Sequence, residues 1–216
     1  MWKSIPAGGP ERVMALADGV FAIAITLLVL DFSVPRGLDS AAYRRELRDL
    51  LPNLGAYALI LLVLGLFWRD HRRIFRFVER VDGQVITLSL LGLGVAALVP
   101  FPTTLLSEYG REPVSVAIYA AAVAALGATH LGLVALLANR PQLRGEAVPE
   151  EGFLLYGLDI AASVAVFSLS IPLALTIGPA AMWGWLVLVP VKSLLGRWAN
   201  RSHRRVHREN PSRPGP

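Results

Sequence analysis

The chain has 216 residues, of which 54% are hydrophobic and only 17% charged, and its mean hydropathy of +0.52 excludes an ordinary soluble domain and marks an integral membrane protein. Basic residues outnumber acidic ones, 21 Lys and Arg against 16 Asp and Glu, so the side of the membrane that holds them becomes a topological question. Cysteine is absent, which excludes disulfide and thiolate chemistry.

Crossing a hydrocarbon core of roughly 30 Å takes about 20 apolar residues of helix. Six segments qualify, near 13–34, 52–69, 83–102, 113–137, 153–177 and 180–198. The first lies within "ERVMALADGVFAIAITLLVLDFSVP", residues 11–35. It is too long for a signal-peptide core, carries Asp18, and ends at Asp31 and Pro35 without a small-residue cleavage site, so it is expected to remain as a span. An ionisable group inside a span costs about 2.5 to 3.5 kcal/mol on insertion scales, so Asp18 calls for a polar partner or water. At a helical repeat, Ile23, Leu27, Leu30 and Val34 share one stripe, with Thr26 at its edge and Asp18 well off it. By spacing alone such a stripe reads as lipid-facing or packed against a neighbour.

After an outer loop at 35–51 with helical charge spacing, the second span closes in "LFWRDHRRIFRFVER", residues 66–80. Trp68 fits the interfacial aromatic belt, and the arginines fit inner-side anchoring. His71 falls at the depth of Arg12 and Asp18, which brings a His71 to Asp18 hydrogen bond within reach; pH sensing is the alternative, because His titrates near neutrality. The last three spans are rich in Ala, Gly and Ser, as expected of helices that approach closely in lipid. Pro100, Pro102, Pro172 and Pro190 mark points where the third, fifth and sixth spans kink or break. A polar inner loop covers 138–152, and no internal repeat relates the first three spans to the last three.

With six spans and an inner N-terminus, sixteen of the Lys and Arg residues fall inside, and only Arg36, Arg44, Arg45, Arg48 and Arg111 fall outside. Both termini are therefore expected in the cytoplasm. The basic tail at 201–216 follows directly on a span, a position that favours anchoring to an anionic inner leaflet over binding nucleic acid.

The first span is similar to the first helix of the transmembrane protein 175 potassium channel family, whose signature Arg-x-x-x-Phe-Ser-Asp is followed by Gly and an apolar run. Here it falls on Arg12, Leu16, Ala17 and Asp18, with Leu16 and Ala17 replacing Phe and Ser. "WRDHRRIF" resembles the family's Trp-x-x-His (Trp68, His71), and "LVPFPTTLLSEYG" resembles the end of its third helix; Ser89 stands where the family has Asn. The resemblance implies a homotetramer of six-helix subunits with a pore lined by four first helices. Ile23, Leu27 and Leu30 would then form hydrophobic rings, with Thr26 hydroxyls in the constriction, and gate potassium by dewetting. It also implies that Arg12, Asp18, Trp68, His71 and Ser89 form a polar network bracing the inner end of the first helix.

The expectation is thus an all-α integral membrane protein, with a channel domain at 1–200 and a cytoplasmic tail at 201–216, conducting potassium across a prokaryotic plasma membrane. No enzyme is expected: the four histidines show no metal-protease spacing, and no nucleophile-elbow motif occurs. No cofactor or metal site is expected either. Alternative readings are a proton-conducting channel, a secondary transporter using Asp159 and His130, and a non-conducting scaffold.

Overall fold

In the computed structural model, which describes residues 9–27, 29, 33–145 and 150–187, the regular elements are helices, supplemented by one isolated β-bridge. Helix α1 runs from Pro10 to Leu27; proline suits this start because it lacks the N–H that a first turn cannot use. Leu28 and residues 30–32, and with them the expected constriction residue Leu30, lie outside the described residues. Gly37, at φ 81°, makes the turn that follows.

The outer loop is largely helical. Helix α2, Ser40–Asp49, starts where the Asp39 carboxylate accepts the N–H groups of Ala41 and Ala42 at 3.0 and 2.7 Å. Only Leu50 separates it from α3, Leu51–Phe75, which continues six residues beyond the expected end of the second span. Arg72 and Arg73 lie in its last turn, where positive charge complements the helix dipole.

The third span breaks as its prolines suggest. Helix α4, Gly83–Leu98, gives way at Val99 to α5, Pro100–Glu108, so this crossing reaches six residues past the expected 102. Pro100 has no N–H to continue the α4 ladder and opens the new helix instead. Helix α6 covers Pro113–Asn139, and α7, Glu150–Ile177, runs through Pro172 without ending. Gly178, at φ 83°, then turns the chain into a 3-10 helix, Pro179–Val187. The sixth expected span is described only over this opening part, and Pro190 lies outside the described residues. Among the described residues, four helical segments, Ser40–Phe75, Gly83–Glu108, Pro113–Asn139 and Phe153–Ile177, are long and apolar enough to cross a membrane.

Helix α6 is central, packed most extensively on α7 and also on α4, α5 and α3. Three close approaches, two of them between α6 and α7, use small residues. A Cβ on Gly127 would lie 2.8 Å from Val164 Cγ2, one on Gly92 2.8 Å from Thr129 Oγ1, and one on Gly157 3.3 Å from Val134 Cγ1. Dispersion at close approach holds such helices together where lipid is as apolar as the side chains.

The ends of α3 and α6 are tied together. Val78 and Arg144 form an antiparallel bridge, Glu79 N–H donates to the Leu143 carbonyl at 2.9 Å, and Gly145 N–H donates to the Phe77 carbonyl at 3.3 Å. Asp82 caps α4 through the N–H groups of Gln84 and Val85 and pairs with Arg140 at 2.9 Å. The arginine-rich turns at 76–80 and 140–144 therefore share one end of the bundle. Phe153 and Tyr156 join that end as well, in a cluster with Ile74, Phe75, Val85 and Leu137.

The first helix and its polar contacts as the candidate functional site

Helix α1 has two faces with different duties. Ala17, Phe21 and Ala24, spaced i, i+4 and i+7, are buried in a cluster with Ile60 and Leu64 of α3, Leu93 and Ala96 of α4 and Leu126 of α6. This face attaches α1 to its own bundle. The opposite face carries Leu16, Gly19, Ile23, Thr26 and Leu27, all exposed; Ile23 is 61% exposed and Leu27 42%. The Thr26 hydroxyl bonds back to the carbonyls of Ala22 and Ile23 at 3.1 and 3.0 Å. It is satisfied without a partner from another element, while its oxygen lone pairs still point to the surroundings.

Asp18 finds its partner on α3. The Trp68 indole Nε1–H donates to Asp18 Oδ1 at 2.6 Å, and the Arg72 guanidinium lies over the Trp68 ring, 5.1 Å from its centroid. The hydrogen bond expected between Asp18 and His71 is replaced by this one. Trp68 and His71 are three residues apart on α3, and Trp68 projects to the outer edge of the α1 contact while His71 turns inward. His71 is buried beside Phe75, with ring centroids 4.7 Å apart, and faces Phe21 of α1 at 6.2 Å.

Among the described residues, the five expected polar residues are not joined in one hydrogen-bonded network. Asp18 and Trp68 are joined. Arg12 is exposed and belongs to no ion pair among the described residues. Ser89 is buried on α4, and its Oγ, like His71 Nε2, has no hydrogen-bond partner among the described residues.

A contact that sequence reasoning missed joins His71 to His130 of α6, edge to face with centroids 5.4 Å apart. His130 is buried and also lies 5.4 Å from Phe67. Its Nδ1–H donates to the Leu126 carbonyl at 2.9 Å, and among the described residues Nε2 has no close hydrogen-bond partner.

The arginines at the tied end are held by aromatic faces. Arg73 lies 4.5 Å from the Tyr156 ring centroid and Arg144 5.3 Å from that of Phe153. The Tyr156 hydroxyl donates to the Asp70 carbonyl at 3.0 Å, fixing α7 to α3.

Fold and site together define an all-helical, multi-pass membrane protein whose first helix is clamped on one side and bare on the other. The sequence profile of the family described as "Endosomal/lysosomal potassium channel TMEM175" matches residues 12–100. A potassium channel of Streptomyces collinus is 43% identical over 119 residues, 53% of this chain and 58% of its own. The human endosomal/lysosomal proton channel TMEM175 is 21% identical over 94% of this chain and 42% of its own. The crystal structure of a lysosomal potassium-selective channel TMEM175 homolog from Chamaesiphon minutus superposes with a TM-score of 0.70 at 25% identity, covering 88% of this chain and 98% of that one. Residues 12–100 are thus similar to the TMEM175 family, and the likeness of fold extends over most of the rest. The chain spans little more than half the length of the first curated relatives it matches.

Proposed function

We propose that this chain is a potassium-permeable cation channel, a homotetramer of six-span subunits with both termini in the cytoplasm. Four copies of α1 surround the pore, and Ile23 and Leu27, with Leu30 beyond the described part of α1, form its hydrophobic constriction. The observation that carries the reading is the two-faced first helix: Ala17, Phe21 and Ala24 are spent on the subunit's own core, while Ile23, Thr26 and Leu27 remain bare. A bare apolar stripe beside a polar-anchored residue suits a helix that meets copies of itself around water better than one lying in lipid alone. The names of the bacterial relatives supply the ion.

An apolar neck excludes water and ions when narrow and admits them when its side chains or helices move apart. It replaces little of an ion's hydration shell, so preference for potassium rests on the cation that sheds water more easily, with the Thr26 oxygens as partial substitutes. Asp18 and Trp68 hold the helix and take no part in ion contact. The plasma membrane of a prokaryote is the proposed location, with the basic tail at 201–216 on the anionic leaflet.

A second reading is proton conduction, favoured by the name of the human relative. Purified protein in liposomes under an outward potassium gradient, with a potassium ionophore as control, separates the two. Potassium flux above sodium flux and altered by Ile23→Asn supports the channel; proton flux without potassium flux supports the second reading; no flux from folded tetramers overturns both.

A further inference from the structure

Helix α2 and the start of α3 carry an apolar stripe along one face. Tyr43, Leu47, Leu50 and Leu54 recur at intervals of four, three and four residues, the spacing by which helices pack side by side in coiled coils. Tyr43 is 48% exposed, Leu47 41% and Leu54 48%. At a helical repeat, Arg44 borders the stripe on one side and Glu46 on the other, while Arg45 and Arg48 lie on the far face. Among the described residues, α2 packs on its own subunit chiefly at the junction with α3, so the stripe is left uncovered there.

The stripe extends beyond the bilayer. From Leu51 to Trp68 the chain carries no charged residue, and this stretch of α3 rises about 27 Å at 1.5 Å per residue, close to a roughly 30 Å hydrocarbon core. Helix α2, with five charged residues among its ten, therefore continues into water. It does not fold back flat along the membrane surface. Leu50 keeps helical dihedrals, φ −78° and ψ −17°; its N–H donates to the Glu46 carbonyl and its carbonyl accepts from the Leu54 N–H, each at 3.0 Å. A proline in the first turn of α3 can kink such a rod, but the helical turn at Leu50 is intact, and α2 prolongs α3. An apolar stripe standing in water marks a surface for protein contact.

We propose that this stripe is an interface between copies of the chain, in which α2 helices of neighbouring subunits stand parallel outside the bilayer and Tyr43 and Leu47 of one pack on the next. The charged borders select this occupant. Around a rotation axis the Arg44 side of each helix faces the Glu46 side of its neighbour, so every contact joins opposite charges and the ring closes on itself. An antiparallel pair would instead set Arg44 against Arg44. The inference deepens the proposed tetramer and rests on it.

The chain has no cysteine, so single substitutions report contacts directly. Tyr43→Cys, Leu47→Cys, Arg45→Cys and Arg48→Cys are each oxidised in isolated membranes with copper phenanthroline and read on non-reducing gels. A disulfide needs Cα atoms within about 7 Å, and one cysteine per subunit bonds one neighbour. Dimers are therefore expected from positions 43 and 47, and monomers from 45 and 48. In the Leu47→Cys chain, Arg44→Glu is expected to lower the dimer yield, and Glu46→Arg added to it to restore the yield. Monomers from 43 and 47, equal yields from the two faces, or a yield that Arg44→Glu leaves unchanged each overturns the proposal. Light scattering of the purified wild type separates this from failure of the tetramer: a monomeric mass removes both, whereas a tetramer without dimers at 43 and 47 removes this inference alone. The four cysteine positions are exposed, and size-exclusion profiles matching wild type establish that the variants are folded.

Discussion

The Trp68 indole donates to Asp18 across the α1 to α3 contact at 2.6 Å, so the acidic residue of the first helix is tied to an aromatic ring that also carries Arg72 on its face. Asp18→Asn keeps an acceptor for the indole but removes its charge. It is expected to destabilise the subunit by about 1 kcal/mol, within the range of hydrogen bonds between membrane helices, and, in the proposed tetrameric channel, to leave assembly and cation preference intact. Thermal unfolding in detergent and reversal potentials in bi-ionic solutions check this; lost cation preference in assembled tetramers would give Asp18 a direct ion contact.

Ile23→Asn is expected to leave the unfolding midpoint of the subunit nearly unchanged, because the side chain is 61% exposed and exposed substitutions shift stability by about 0.5 kcal/mol or less. In the proposed channel its effect is expected on conduction, where a polar ring at the neck would hold water and raise resting flux. Ala24→Asn, one residue along but on the buried face, is expected to do the reverse and unfold the subunit. Parallel flux and melting measurements distinguish the two faces.

Gly127→Ala puts a methyl group 2.8 Å from Val164 Cγ2. Overpacking of that kind costs about 1 to 3 kcal/mol, and Val164→Ala in the same chain is expected to recover most of the loss. A double-mutant cycle measured by unfolding tests the coupling; additive losses would show that the crossing relaxes elsewhere.

Asp82 does two jobs, and two substitutions separate them. Asp82→Asn retains a good cap for α4 and loses only the pair with Arg140, whose side chain is 40% exposed, so the expected cost is about 0.5 kcal/mol or less. Asp82→Ala loses the cap as well and is expected to cost about 1 kcal/mol more. Equal losses would mean that the ion pair carries the effect.

The position and period of single helices were legible in the sequence, while their mutual orientation was not. The stripe of Ile23, Thr26 and Leu27 follows from the helical period, and the exposed face of α1 contains it. The need of Asp18 for a polar partner followed from the cost of an ionisable group in a span. The choice between Trp68 and His71 did not, because they lie at similar depth and differ by the rotation of α3 against α1, which Phe21 and its buried neighbours set. The pairing of His71 with His130 was hidden for the same reason: it depends on how α3 meets α6, and neither spacing nor composition records that. Proline positions fared better, since a missing N–H interrupts a ladder wherever it falls; Pro100 divides the third crossing, yet Pro172 is carried within α7.

The tie between Phe77–Glu79 and Leu143–Gly145 is made of main-chain donors and acceptors, which every residue except proline can supply. Exposed side chains there, such as Glu79, are free to drift between relatives without loosening the junction, whereas Val78 and Leu143 are also buried in the core cluster. Loop length is not free to vary: one inserted or deleted residue in either turn would shift the register and turn each paired side chain to the opposite face. Variation in this region is therefore expected as replacement of residues, with gaps confined to the stretch beyond Gly145.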